Sequence, residues 1–248
     1  MGVNQLNIIA DTHTHTIAST HAYSTILENA KFASEQGLKI LGMTDHAPGS
    51  QDSPHLWHFN NLDSIPDELY GVRILRGAEI NIIDYQGNVD LPDSTLKKLE
   101  WVIASMHGMT MPTGTVEQIT SAYIAIAQNP YVDVIGHSGS VNYLYDFETA
   151  IKAFKEYHKL VEINQNTFKN RKSSISNCVE IAKLCKKYQV PVVVNSDAHF
   201  AYQIGQVDDA LALLKEIDFP QELIVNLDLQ CFTEYLSDHK KITLSAIE

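Results

Sequence analysis

Cysteine is scarce in this chain: three among 248 residues, Cys178, Cys185 and Cys231, with no C-x-x-C pair. A thiolate zinc knuckle, a dithiol redox motif and a disulfide scaffold are therefore excluded. An odd number of widely spaced thiols fits a reduced, cytoplasmic protein. Basic charge is also in short supply. Lys and Arg number 18 against 30 Asp and Glu, a net charge of −12. That speaks against a nucleic-acid surface, which needs clustered cations to meet phosphate backbones. Any positive charge needed for an anionic substrate then falls to metal ions. No apolar run approaches the roughly 20 residues of a membrane helix. The N-terminal residues lack the basic start and apolar block of a secretory signal, and Leu6 stands where an N-myristoylation site needs Ser or Thr. Apolar residues at 44% and charged residues at 19% are ordinary for a globular protein. The length is that of one large domain, residues 1–248.

What the chain has in plenty is histidine, 11 in all. Their placement follows the secondary structure. Short β-branched runs are read as strands at Leu6–Ala10, Lys39–Thr44, Val72–Ile82, Trp101–Ser105, Val132–Gly136, Leu160–Asn164 and Val190–Asn195. Helical patterns alternate with them, among them 27–36, 116–128, 148–157, 175–188 and 207–217. Strands alternating with helices of this length give βαβ units and a parallel sheet, and seven such strands predict a closed or nearly closed barrel. One connection, Ala47–Gly71, is long and carries Pro48, Pro54, Pro66, His55, Trp57 and His58. A connection of that length is expected to be a lid or binding loop. The stretch after Pro220 fits no element.

Ligand-type side chains recur where these strands end. Asp11, His13, His15 and then His21 follow the first strand, and Asp45-His46 the second. Glu79 lies in the third; His107, His137 and the Asp197-Ala198-His199 segment follow later ones. In a parallel barrel all such ends meet on one face, where active sites sit. His13 and His15, two apart on an extended segment, point the same way and can grip one ion. Asp197 and His199 repeat that spacing. Imidazole with carboxylate suits Zn, Mn or Fe better than Ca or Mg. A lone H-x-H or strand-end histidine is weak; the constellation is not, because so many polar groups could not be buried together unpaired. Asp11 and Asp45 are candidates to orient ligand imidazoles, against simple capping. Arg73 and Arg76, three apart on one strand, are not expected to share a face. His158 and His239 read as ordinary surface residues.

These pieces (ADTHTH at 10–15, TDHAPG at 44–49, HLWHFNNL at 55–62, GVRILRGAEIN at 71–81, ASMHG at 104–108, EINQNTF at 162–168 and NSDAH at 195–199) resemble the PHP (polymerase and histidinol phosphatase) family, in its YcdX-like phosphatase branch. The resemblance spans nearly the whole chain in the family's order. It implies a distorted (β/α)7 barrel, TIM-like and of one domain, holding three divalent metal ions, Zn first with Mn or Fe as alternatives. One ion would be held by His13, His15, Glu79 and Asp197, a second by Glu79 with His107 and His137, and a third by His21, His46 and His199. The implied enzyme is a phosphoric-ester hydrolase of small phosphate monoesters that uses a metal-bridging hydroxide. Glu79, Asp197 and His199 would be catalytic, and Arg171, His58 and Trp57 would contact substrate. Small phosphorylated molecules are the expected partners, with neither nucleic acid nor membrane. A homo-oligomer is compatible, trimers occurring among relatives. Two positions depart from the pattern: Ser138 follows His137 where relatives often have Pro, and Asn195 stands where a small residue is usual. An amidohydrolase-type hydrolase and a non-catalytic metal-binding scaffold stay open at this point.

Overall fold

In the computed structural model, which describes residues 6–51 and 53–240, the β-branched runs form strands β1 (Ala10–Asp11), β2 (Ile40–Met43), β3 (Glu68–Leu69), β4 (Val72–Asn81), β5 (Trp101–Ser105), β6 (Val134–Ile135), β7 (Leu160–Asn164) and β8 (Val192–Asn195). The helices are α1 (Ile26–Glu35), α2 (Leu56–Asn60), α3 (Asp93–Leu96), α4 (Val116–Ala127), α5 (Phe147–Glu156), α6 (Asn166–Lys169), α7 (Ile175–Tyr188), α8 (Asp208–Glu216) and α9 (Leu229–Lys240). Local chemistry sets several boundaries. Thr25 and Thr115 open α1 and α4 with reciprocal capping boxes to Glu28 and Gln118. The residues 1–5 weighed above for N-terminal acylation lie outside the described residues. None of the described helices is long and apolar enough to cross a membrane.

Seven strands run parallel in the order β1-β2-β4-β5-β6-β7-β8, and β3 pairs antiparallel with β4. The result is the expected barrel, nearly closed. Alternation along the strands sorts side chains into two shells. Outward residues such as Leu41, Ile74, Val102, Val161 and Val194 pack against the helices. Inward residues at the strand starts (Ile40, Leu75, Trp101, Leu160 and Val193) form a second core, plugged by Phe232, Tyr235 and Leu236 of α9. Nearer the strand ends the interior turns polar, with Glu79, Asn81, Ser105, Glu162, Asn164 and Asn195 all buried. A seven-stranded barrel is narrow. A Cβ placed at Gly42 would strike the Thr12 carbonyl, and one at Gly77 the Trp101 carbonyl.

The strand expected at Leu6–Ala10 lies later, at Ala10–Asp11. Ile9 gives its N–H to the Asn226 carbonyl, 2.9 Å, rather than to a strand. The segment after Pro220, unplaced from sequence, fills the seam between β1 and β8. The Asn226 side chain donates to the carbonyls of Ala10 (2.8 Å) and Val194 (2.6 Å) and accepts from Val194 N (3.0 Å). One buried amide thus stands in for ladder bonds at the seam. The connection 47–71 is more ordered than a plain loop: it contains α2, a 3-10 turn at Leu62–Ser64 and β3. Phe59 and Leu62 anchor it in the core. Arg73 and Arg76 do meet, contrary to the reading of their spacing, because both long side chains reach the Glu100 carboxylate.

Candidate metal centre

Glu79 sits at the centre of the polar end of the barrel, its carboxylate buried. Oε1 lies 2.9 Å from His137 Nε2 and 3.4 Å from His107 Nε2. Oε2 lies 2.8 Å from His46 Nδ1, 3.4 Å from His13 Nε2 and 3.7 Å from His15 Nε2. Asp197 Oδ1 approaches His15 Nε2 at 3.2 Å and His13 Nε2 at 3.6 Å. The ring of His21 lies 5.1 Å from that of His46 and 4.4 Å from that of His199. All nine residues expected from the resemblance therefore converge. The tightest groups of ligand atoms are His13–His15–Asp197, His46–Glu79–His107 and His15–His46–His199. His15 and His46 thus each stand between two groups, which the sequence-based partition did not foresee.

The donor set fits metal ions. Buried carboxylates and imidazoles this close would otherwise be expected to satisfy one another through hydrogen bonds. Instead His13 Nε2 and His15 Nδ1 are buried without a hydrogen-bond partner, and Glu79 Oε2 and His46 Nδ1, although 2.8 Å apart, are not aligned for one. Several imidazoles are also held from behind. His13 Nδ1 lies 2.7 Å from Glu162 Oε1, His107 Nδ1 2.7 Å from Asn81 Oδ1, and His199 Nδ1 3.0 Å from the Asp197 carbonyl. Each contact engages Nδ1 and turns Nε2 inward, the usual arrangement behind a metal-ligating histidine.

Two of the residues occupy backbone conformations that side chains rarely adopt, with φ of +23° at His137 and +56° at Asp197. Strain of this kind persists where surrounding structure enforces it, often at functional sites. Ionisation is shifted throughout. Burial opposes the charge on Glu79, but His13, His107 and His46 outweigh it and hold the carboxyl well below its usual range. Burial likewise opposes charge on Asp197, where His13, His15 and Arg171 prevail. Burial and the neighbouring His46 push His15 down to about 3. His13 goes the other way: burial disfavours its cation, yet Glu162, Glu79 and Asp197 raise it.

Glu162 was the residue missed from sequence. It is buried and accepts from His13, from Asn195 Nδ2 (3.0 Å), from His137 N (2.9 Å) and from Asn164 Nδ2 (3.0 Å). The available signal was a lone carboxylate inside an apolar strand. Asn195, noted as a departure from the family pattern, also accepts from Thr12 N and Thr12 Oγ1, each at 2.9 Å, and so ties β8 to the H-x-H segment. Asp11 and Asp45 do not touch ligand imidazoles. Asp11 accepts from Ser196 N and Gly205 N. Asp45 accepts from Thr16 and Ser19 and thereby holds the turn after His15.

Among the substrate candidates, Arg171 Nη2 pairs with Asp197 Oδ2 at 3.0 Å. Its Nη1 has no hydrogen-bond partner. Lys172 is exposed. His58 Nε2 lies 3.5 Å from Asp45 Oδ2. Trp57 is 76% exposed and so does not pack the lid against the barrel.

A family profile described as PHP domain matches residues 11–218. A probable phosphatase of Clostridium novyi (strain NT) is 46% identical over 238 residues, 96% of this chain and 98% of that one. A probable phosphatase of Acetivibrio thermocellus is 45% identical over 236 residues, 95% of this chain and 98% of that one. Among solved structures, the histidinol phosphate phosphatase of Lactococcus lactis, complexed with zinc, L-histidinol and phosphate, superposes with a TM-score of 0.56 at 16% identity, covering 85% of this chain and 94% of that one. At that identity the likeness is one of fold.

Proposed function

Because the chain belongs to the PHP domain family, we propose that it is a metal-dependent phosphatase of small phosphate monoesters. Three divalent ions, zinc first, would be held by His13, His15, His21, His46, Glu79, His107, His137, Asp197 and His199. The observation that carries the reading is Glu79: one buried carboxylate faced by five imidazoles, whose Oε2 has no aligned hydrogen bond. When bound, such ions supply Lewis acidity and an acidified water for attack on phosphorus. The chain's own residues do the rest. Glu162, Asn81 and the Asp197 carbonyl engage Nδ1 of His13, His107 and His199 and aim each Nε2 inward, where it would face an ion. Arg171 spends Nη2 on Asp197 and keeps Nη1 for a phosphoryl oxygen, a geometry guanidinium serves well. The apolar floor of the barrel closes the site from below, so charge there acts with little screening. The unpaired cysteines agree with a reducing compartment.

The test is elemental analysis of the purified chain beside assays on p-nitrophenyl phosphate, its bis-ester and an amide panel, with and without chelator. About three metals per chain and chelator-sensitive monoesterase activity would support the reading. Metal without phosphatase activity but with amide hydrolysis would replace it with an amidohydrolase. Metal with neither activity would leave a binding scaffold. One metal or none in folded protein would remove the trinuclear centre.

A further inference from the structure

A cleft of about 320 Å³ opens beside the centre, with His107, His137 and Arg171 on its inner wall. Its outer wall comes from two short segments, Ser140–Tyr143 after β6 and, after α6, Asn170, Ser173 and Ser174. The volume is at the small end for ligand sites. We propose that this cleft receives the alcohol portion of the substrate and selects the phosphate monoester of a small alcohol that is itself uncharged and polyhydroxylated: a polyol or sugar phosphate. The inference rests on the phosphatase reading above and deepens it.

The chemistry of the walls carries the argument. Arg171 is the cation of the lining, and no carboxylate belongs to it. An ammonium-bearing substrate would lose its hydration there with nothing negative in the outer walls to replace it, at the cost that attends any unpaired buried charge. The one tyrosine of the lining, Tyr143, is 2% exposed and donates its hydroxyl to the Met111 carbonyl, so no ring is offered for stacking. What the outer walls do offer is mixed hydrogen bonding. The side chains of Asn142 and Ser173 are exposed and can each donate and accept. Asn170 turns its Nδ2 to Asn166 Oδ1 at 3.0 Å, which leaves its own Oδ1 as an acceptor. Hydroxyl groups, which both donate and accept, match that set. A carboxylate or an ammonium does not.

The experiment compares kcat/KM of the metal-loaded enzyme for glycerol 1-phosphate, L-histidinol phosphate and p-nitrophenyl phosphate, in the native chain and in Asn142→Ala/Ser173→Ala. Glycerol 1-phosphate should exceed L-histidinol phosphate by tenfold or more. In the double variant, the ratio of glycerol 1-phosphate to p-nitrophenyl phosphate should fall about tenfold, mainly through KM. Equal or preferred hydrolysis of L-histidinol phosphate would overturn the proposal, and so would a double variant that lowers all three substrates alike. In either case p-nitrophenyl phosphate would still be hydrolysed, so the phosphatase reading would survive. Loss of all hydrolysis in the metal-loaded native chain would remove both.

Discussion

Replacing Glu79 with Gln keeps the shape of the centre and removes the charge that would bridge two ions in the proposed arrangement. The carboxylate lies within 2.8–3.7 Å of nitrogens on His13, His15, His46, His107 and His137. The two other carboxylates beside these imidazoles are already engaged: Asp197 by His15, Arg171 and Asn164, and Glu162 by His13, Asn195, Asn164 and the His137 N–H. Outer partners of metal ligands are worth about 10–100-fold in affinity, and a bridging ligand should reach at least the upper figure. The consequence is measurable as stability. At free metal about 1,000 times the dissociation constant, linkage adds about 4.1 kcal/mol; a 100-fold loss of affinity leaves about 1.4 kcal/mol. For a domain of this size, 1 kcal/mol moves the melting temperature by about 2–4 °C. Adding metal to the stripped protein should therefore raise the native melting point by about 8–16 °C, and that of Glu79→Gln by only about 3–6 °C. The same variant should lose about 10²–10³ in kcat, as when one preorganised electrostatic partner is removed. The assay is calorimetry of stripped and reloaded protein beside p-nitrophenyl phosphate turnover. An unchanged metal-induced shift in Glu79→Gln would refute the claim that this carboxylate organises the centre.

Three further outcomes follow from other contacts. Glu162→Gln puts an amide N–H₂ where His13, Asn195, Asn164 or His137 N now donates; metal extraction by chelator should quicken about tenfold or more, and an unchanged extraction rate would count against the positioning role. Asn226→Leu strands three backbone groups, the Ala10 carbonyl and the Val194 carbonyl and N–H, which at about 1–3 kcal/mol per unsatisfied group should lower the melting point by at least about 6 °C while metal stoichiometry stays the same. Glu100 is opposed by burial but held ionised by Arg76 and Arg73. A depressed folded pKa contributes stability that is complete above the unfolded value near 4.5 and is lost as pH falls through the folded one. Glu100→Gln should therefore narrow the gap between melting points at neutral and acid pH, and a gap equal to that of the native chain would contradict the assignment.

Much of the barrel was legible because burial on both faces leaves a clear mark. β2, β5, β7 and β8 are buried along their whole length, and such strands read as unbroken apolar runs. The ligand residues were legible for a related reason: a histidine or carboxylate at the end of an apolar run has no ordinary place to go. What sequence could not show was partnership. Glu162 and Asn81 look like any polar residues within a strand, and only the register that sets β7 beside β8, with Asn164 opposite Asn195, reveals a shared network. Asp11 and Asp45 misled because proximity in sequence to His13 and His46 is not proximity of side chains. Both turn to backbone N–H groups of neighbouring turns. The seam residue Asn226 was invisible because its 3-10 segment has no periodicity, and its function lies in matching two strands more than 30 residues away.

The seam also ties the metal centre to the fold. Among the described residues, the ladder from β1 to β8 is continuous, but the end strands do not pair with each other; the segments that follow them share a single bridge, Thr14 with Ala198. Its hydrogen bonds are His15 N to the Ala198 carbonyl at 2.8 Å and Ala198 N to the His13 carbonyl at 3.3 Å. Four of the nine ligand candidates flank this weak line: His13 and His15 on one side, Asp197 and His199 on the other. An ion held by His13, His15 and Asp197 would join the first and last strands where backbone pairing is thinnest. Metal binding is then partly barrel closure, in the way that ligand binding and folding are coupled at other metal sites. Stripping the metal should act locally. Amide exchange at His15 and Ala198 should speed by about tenfold or more, which corresponds to about 1.4 kcal/mol of lost local protection. Amides of Val102 and Ile163, deep in the continuous ladder, should change far less. Uniform acceleration across all four would mean that metal stabilises the domain as a whole and that the seam has no special dependence on it.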